Sequence, residues 1–183
     1  FIHYLGEAGV AAYSVACYCF PVIFMMANAI VQSGQPIVSF AYGAGNQTRL
    51  AEARSMMLRW AVTTGIVVSV GMFLCSDYVT MLFLDATEPA YSLCIEGLPY
   101  FGLGVLFLTV NIVLVGFMQS IEQASRATLF TLLRGFVIVI PTFILLPELL
   151  GNVGVWLAIP TAELITLLLI YLSQKVLTKR NID

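Results

Sequence analysis

Charge is scarce in this sequence, and histidine is nearly absent. Lys, Arg, Asp and Glu make up 10% of the 183 residues, and His3 is the single imidazole. Neither HExxH nor GxSxG occurs, so the usual zinc and serine hydrolytic constellations are missing and an enzyme is not expected. The cysteines Cys17, Cys19, Cys75 and Cys94 make no CxxC pair. The first three lie in apolar runs, which reads as small buried side chains rather than metal or redox groups. No cofactor is expected, and no basic run forms a nucleic-acid face. The formal net charge of −2 says little, because the charges are segregated along the chain.

Apolar residues fill the space that charge leaves. They make up 60% of the chain, and the mean hydropathy is +0.97, far from soluble-protein usage. A bilayer core of ~30 Å takes about 20 apolar residues per helix. Five blocks qualify, running roughly from Ala8 to Phe40, Leu58 to Cys75, Leu98 to Met118, Ala127 to Leu146 and Val153 to Leu172. The runs are continuous rather than alternating, which argues against a barrel of short strands. The expected fold is all-α, a polytopic membrane protein with about five complete transmembrane helices in one membrane domain, residues 1–183.

The eight Lys and Arg residues mark alternate ends of these blocks. Arg49, Arg54 and Arg59 form one cluster, Arg126 and Arg134 a second, and Lys175, Lys179 and Arg180 a third. The intervening loops carry Glu7, then Asp77, Asp85 and Glu88, then Glu148, with no basic residue. Basic loops stay in the cytoplasm during insertion. The amino end is therefore expected outside and Lys175 to Asp183 inside. The chain starts Phe1-Ile2-His3-Tyr4, without an initiator Met, and Phe1 and Ile2 resemble the tail of an earlier helix. The chain is expected to be a fragment that keeps the true carboxyl terminus.

Within the first helix, Pro21 and Pro36 each remove a backbone donor and permit a kink. Asn28, Gln32, Gln35 and Ser39 share one helical stripe, which in lipid must face protein or water. The stripe is either a helix–helix hydrogen-bonding seam or a cavity wall. Tyr42 to Asn46 reads as a tight turn before the next helix. Asp77 to Leu84 reads as an interfacial stretch, and Glu88-Pro89 as the start of the third helix. Pro99, Gly102 and Gly104 allow close packing there, and Asn111 near mid-membrane needs a partner. Glu122 and Arg126 have the favourable i, i+4 order. Pro141 and Pro147 punctuate the fourth helix, and Pro160 lies in the fifth.

Gln35-Pro36-Ile37-Val38-Ser39-Phe40, running into Tyr42-Gly43-Ala44-Gly45-Asn46, resembles the multidrug and toxic compound extrusion (MATE) transporters. Ala11-Ala12-Tyr13-Ser14-Val15, Gln119-Ser120 with Leu132-Leu133-Arg134, and Gly154-Val155-Trp156 with Pro160 and Ala162-Glu163 follow in family order. Together they span nearly the whole chain and are closest in flavour to the bacterial MepA and DinF branch. Ala41 departs from the Asn common before Tyr-Gly, and Ile121-Glu122 from the residues common after Gln-Ser. The resemblance implies the carboxyl-terminal lobe of a twelve-helix, two-lobe transporter in the bacterial inner membrane, with the amino-terminal lobe as its missing partner. It implies export of amphipathic or cationic small molecules in exchange for Na⁺ or H⁺, by rocking of repeated halves about a central cavity. The resemblance implies coupling carboxylates on the seventh and tenth helices in one branch and on the first in another; the first and seventh are missing here, and the tenth offers Asn111 with no acid in its interior.

Glu163 and Arg134 are the charges deep within apolar blocks, where ionisable groups are costly and point to function. Counted from the outer end at 1.5 Å per residue, Glu163 lies roughly 15 Å deep and Arg134 roughly 20 Å. Three readings stand: an Arg134–Glu163 pair; Arg134 snorkelling to the headgroups while Glu163 faces the cavity; or Glu163 capping neighbours such as Thr166. A carboxylate facing the cavity would attract a cationic substrate and exchange it for a proton. The candidate cavity residues are thus Asn28, Gln32, Gln35, Asn111 and Glu163. The rival functions are a lipid-linked glycan flippase of the same superfamily and a non-transport membrane subunit.

Overall fold

The computed structural model describes the backbone of residues 2–180 and the side chains of residues 6–175. The readings placed on Phe1 and on the side chains of Ile2, Lys179 and Arg180 lie outside the described residues. All regular structure among the described residues is helical: α1 Ile2–Gly43, α2 Gln47–Leu74, α3 Ser76–Met81, α4 Pro89–Ser120, α5 Ala124–Leu132, a π-helical turn Leu133–Ile138, α6 Val139–Leu150 and α7 Asn152–Arg180. Five runs are long and apolar enough to cross a bilayer, with α5, the π turn and α6 counting as one. They coincide with the five apolar blocks, so the chain has an all-α, multi-pass membrane fold.

The breaks have local causes. Gly6, at φ 65°, interrupts α1 near its start and leaves Gly6–Gly43 as the spanning run. Gly45, at φ 67°, makes the turn after α1, and Asn46 caps α2 by accepting from the Arg49 amide at 3.0 Å. Asp77 and its neighbours form the short α3, and Pro89 occupies the first turn of α4 behind Glu88. The π turn follows from Pro141: its nitrogen cannot donate to the Val137 carbonyl, and its ring crowds that oxygen.

Helix α4 is the axis of the bundle; 72% of its most apolar window is buried, against 17% for the α5–α6 run. Its glycines admit one neighbour each. A Cβ at Gly116 would meet Val31 of α1, at Gly102 Met72 of α2, and at Gly97 and Gly104 Trp156 and Pro160 of α7. Hydrogen bonds add direction. Thr109 Oγ1 donates to Ala61 O at 3.1 Å, and Ser39 Oγ to Ser120 O at 3.2 Å. At the opposite end Tyr13 packs on Phe101, Phe143 and Trp156, with ring centroids 6.4, 6.2 and 5.1 Å away.

Two expectations need correction. The Glu122–Arg126 pair does not form: Glu122 sits in the turn at φ 60° rather than in the helix, and Arg126 donates to Gln123 Oε1 at 3.1 Å. Of the three cysteines in apolar runs read as buried, Cys19 is half-buried and Cys17 and Cys75 are exposed, while the fourth, Cys94, is buried. In a bilayer an apolar run need not bury its small side chains against protein, because lipid solvates them equally well.

Candidate functional site

Three helices bring the intramembrane polar groups together. Asn111 comes from the middle of α4, Glu163 from α7 and Arg134 from the π turn. Gly97, Gly104 and Asn111 recur at seven-residue spacing on the face of α4 that meets α7, so the glycines draw α7 close and Asn111 reaches it. Asn111 is fully buried, and Glu163 keeps 5% of its surface exposed. A charge this deep requires partners.

Those partners are explicit. Asn111 Nδ2 donates to Glu163 Oε2 and to the Glu163 main-chain carbonyl, both at 2.8 Å. Arg134 Nε stands 3.6 Å from Glu163 Oε1, a charge contact longer than a hydrogen bond. Arg134 Nη1 and Asn111 Oδ1 are buried with no hydrogen-bond partner among the described residues. The cluster thus holds one carboxylate, one loosely held guanidinium, and an unused donor and acceptor. Of the three readings of Glu163, the geometry is that of the ion pair. Thr166 Oγ1 turns instead to Ala162 O, at 2.8 Å.

The polar stripe of α1 divides. Asn28 lines a cavity of about 190 Å³ together with Arg134, Gln119 and Thr131. Its Nδ2 donates to Phe24 O in its own helix at 2.8 Å. Ser39 reaches α4, whereas Gln32 and Gln35 are exposed and do not line that cavity. Sequence reasoning did not single out Thr131 as a lining residue. It lies three residues before Arg134 on the same helical face, and that spacing was the available signal.

Chemically, Glu163 and Asn111 Oδ1 are oxygen ligands suited to a cation, while Arg134 beside them repels a second one. The carboxylate can therefore exchange partners: the guanidinium, a proton, or a cation that displaces the guanidinium. Arg134 sits on a π turn, where the backbone ladder is already interrupted and can rearrange with the least loss of hydrogen bonds.

Comparison with known proteins places the fold. The MatE family model matches residues 1–145, a stretch that contains Asn111 and Arg134 and stops before Glu163. The chain is similar to the outward-facing conformation of a multidrug resistance MATE family transporter of the MOP superfamily. The identity is 18%, the TM-score 0.86, and the match covers 96% of this chain and 40% of that one. It is similar in the same degree, at 18% identity, TM-score 0.86 and the same coverage of 96% and 40%, to a MOP superfamily transporter from Pyrococcus furiosus for which reverse polarity of the binding pocket suggests a different function. A MATE structure in complex with MaL6 matches at 19% identity and TM-score 0.85, again over 96% of this chain and 40% of that one. The chain thus spans about 40% of the length of these solved transporters. No curated protein matches it.

Proposed function

Because the chain belongs to the MatE family, we propose that residues 1–183 are the carboxyl-terminal lobe of a secondary active multidrug efflux antiporter. It exports amphipathic, chiefly cationic compounds from the cytoplasm across a bacterial inner membrane in exchange for Na⁺ or H⁺. The observation that carries the reading is the buried Asn111–Glu163–Arg134 cluster, which joins three helices through one carboxylate.

The cluster couples ion and conformation as follows. With Glu163 ionised, its attraction for Arg134 draws the π turn toward α7, and Asn111 holds the other carboxylate oxygen on α4. Protonation removes the charge that Arg134 faces, and the guanidinium is then free to turn toward the cavity it shares with Asn28. At Glu163 itself a proton is favoured over a metal ion, since a metal ion must first displace Arg134. The two states differ in the position of the α5–α6 run against α7, so each substrate or ion shifts the balance by its differential affinity. The second lobe completes the substrate cavity and determines which compounds fit.

The test is efflux of a fluorescent cationic dye from pump-deficient cells that express the full-length protein, with the Na⁺ and proton gradients collapsed separately. Loss of efflux on one collapse identifies the antiporter and its ion. Membrane-inserted protein that moves no dye under either gradient overturns the assignment, and translocation of a lipid-linked glycan by such protein would point to the flippase.

A further inference from the structure

A second cavity, about 790 Å³, lies at the basic end of the bundle, remote from Glu163, between the first turns of α2 and the end of α4. Its polar wall is Gln47, Arg54, Ser55, Arg59 and Thr63, all from α2. Apolar side chains are interspersed with these, Leu50, Leu58 and Val62 from α2 and Phe117 and Ile121 from the end of α4. No acidic residue lines it among the described residues. The nearest acid in sequence, Glu52, borders a different groove beside Arg49.

Arg54 is held as a binding group is held. Its Nη2 donates to Gln174 Oε1 on α7 at 2.5 Å, and its guanidinium carbon sits 5.4 Å from the centre of the Phe117 ring. These contacts fix the guanidinium plane and leave Nε buried with no hydrogen-bond partner. Arg59, one turn farther along α2, is exposed at the rim. Neither arginine meets a carboxylate among the described residues, where the ion pair present is Arg134–Glu163.

The depth of the cavity identifies what fits it. Helix α2 has 28 residues, about 42 Å at 1.5 Å per residue, and the hydrocarbon core takes ~30 Å of that. The excess places Arg54 near the boundary of hydrocarbon and headgroups, with Arg59 snorkelling back toward it. Two cations that meet no carboxylate among the described residues, at headgroup level and beside apolar side chains, complement a phosphate that carries an acyl chain.

We propose that this cavity binds one anionic phospholipid, its phosphate on Arg54 and Arg59 with Ser55 Oγ as a neutral donor, and an acyl chain along Leu58 and Val62. Planar guanidinium groups suit a phosphodiester, and basic pockets between transmembrane helices favour acidic headgroups. A free phosphate would have no use for the apolar wall. The inference is independent of the transport reading, since it concerns a different end of the bundle.

The test is lipid retention by the full-length protein, transferred from nanodiscs of phosphatidylcholine with a minority of phosphatidylglycerol and read by native mass spectrometry. Wild type is expected to retain phosphatidylglycerol in preference to phosphatidylcholine. The Arg54→Gln, Arg59→Gln double variant should lose that preference by roughly tenfold, and Arg54→Lys with Arg59→Lys should keep most of it. Arg49→Gln, off the cavity, should change nothing. If the double variant elutes as aggregate, Arg59→Gln alone, on the exposed rim, should show a loss of about threefold. Equal retention of both lipids by wild type overturns the proposal, as it would if another segment of the protein covered the arginines. So does an equal loss in Arg49→Gln, which would mean diffuse charge, or release of the lipid by inorganic phosphate, which would mean a free-anion site.

Discussion

The side-chain amide of Asn111 donates at 2.8 Å to both the main-chain carbonyl and the carboxylate of Glu163, so one residue of α4 holds backbone and charge of α7 together. Removing it leaves the carboxylate with Arg134 alone, at 3.6 Å. Asn111→Ala is expected to destabilise the bundle by about 1–2 kcal/mol, seen as a lower melting temperature of the detergent-solubilised protein. An unchanged melting temperature would show that the amide contributes nothing to packing.

Glu163→Gln keeps a side chain of the same shape and an acceptor for Asn111 but removes the charge that Arg134 meets. Ion-coupled dye efflux should fall to background while expression and the gel-filtration profile stay those of wild type. Full efflux in a correctly inserted variant would remove Glu163 from the coupling step.

Arg134 and Glu163 should prove energetically coupled. Breaking an ion pair from one side leaves an unmatched charge, whereas removing both partners does not. Arg134→Met is therefore expected to destabilise wild type more than it destabilises the Glu163→Gln protein, by about 1 kcal/mol in a thermal double-mutant cycle. Additive effects would mean that the 3.6 Å contact is incidental.

The glycines of α4 separate close approach from flexibility. A Cβ at Gly97 collides with the Trp156 ring, so Gly97→Ala should cost about 1–3 kcal/mol and loosen the contact of α4 with α7. Gly71 in α2 has open space where a Cβ would go, and Gly71→Ala should be neutral or stabilising by up to about 1 kcal/mol. Thermal melts of the two proteins side by side distinguish the two cases.

Thiol chemistry tests the orientation inferred from charge. Cys75 caps the end of α2 opposite the arginines and is exposed, while Cys94 is fully buried. A membrane-impermeant maleimide added to intact cells should label wild type more strongly than Cys75→Ser, and Cys94→Ser should label like wild type. Labelling that requires permeabilised cells would invert the topology.

Much of the fold is legible in the order of the amino acids. Spanning helices announce themselves because a bilayer demands a continuous apolar run, and the breaks coincide with Gly45-Asn46, Glu88-Pro89 and Gly151. The π turn is less visible. Pro141 signals trouble four residues back, but whether a helix answers with a kink or a widened turn depends on what packs beside it. The stripe from Asn28 to Ser39 shows the same boundary: its periodicity places four polar groups on one face, yet Asn28 lines a cavity, Ser39 binds α4, and Gln32 and Gln35 are exposed.

By itself, the sequence determined that the chain has five runs long and apolar enough to cross a bilayer, that its basic clusters fall at alternate ends of those runs, and that Glu163 and Arg134 are too deep to stand alone. Hydropathy and the cost of buried charge are local properties, and they can be read one segment at a time. Only the tertiary structure decided that Asn111 is the residue holding Glu163, and that Arg54 is fixed between Gln174 and Phe117. Those relationships join segments 52 and 120 residues apart. They depend on which helices neighbour one another, and in lipid that is settled by small residues and interhelical hydrogen bonds, because hydrophobicity is spread all around each helix.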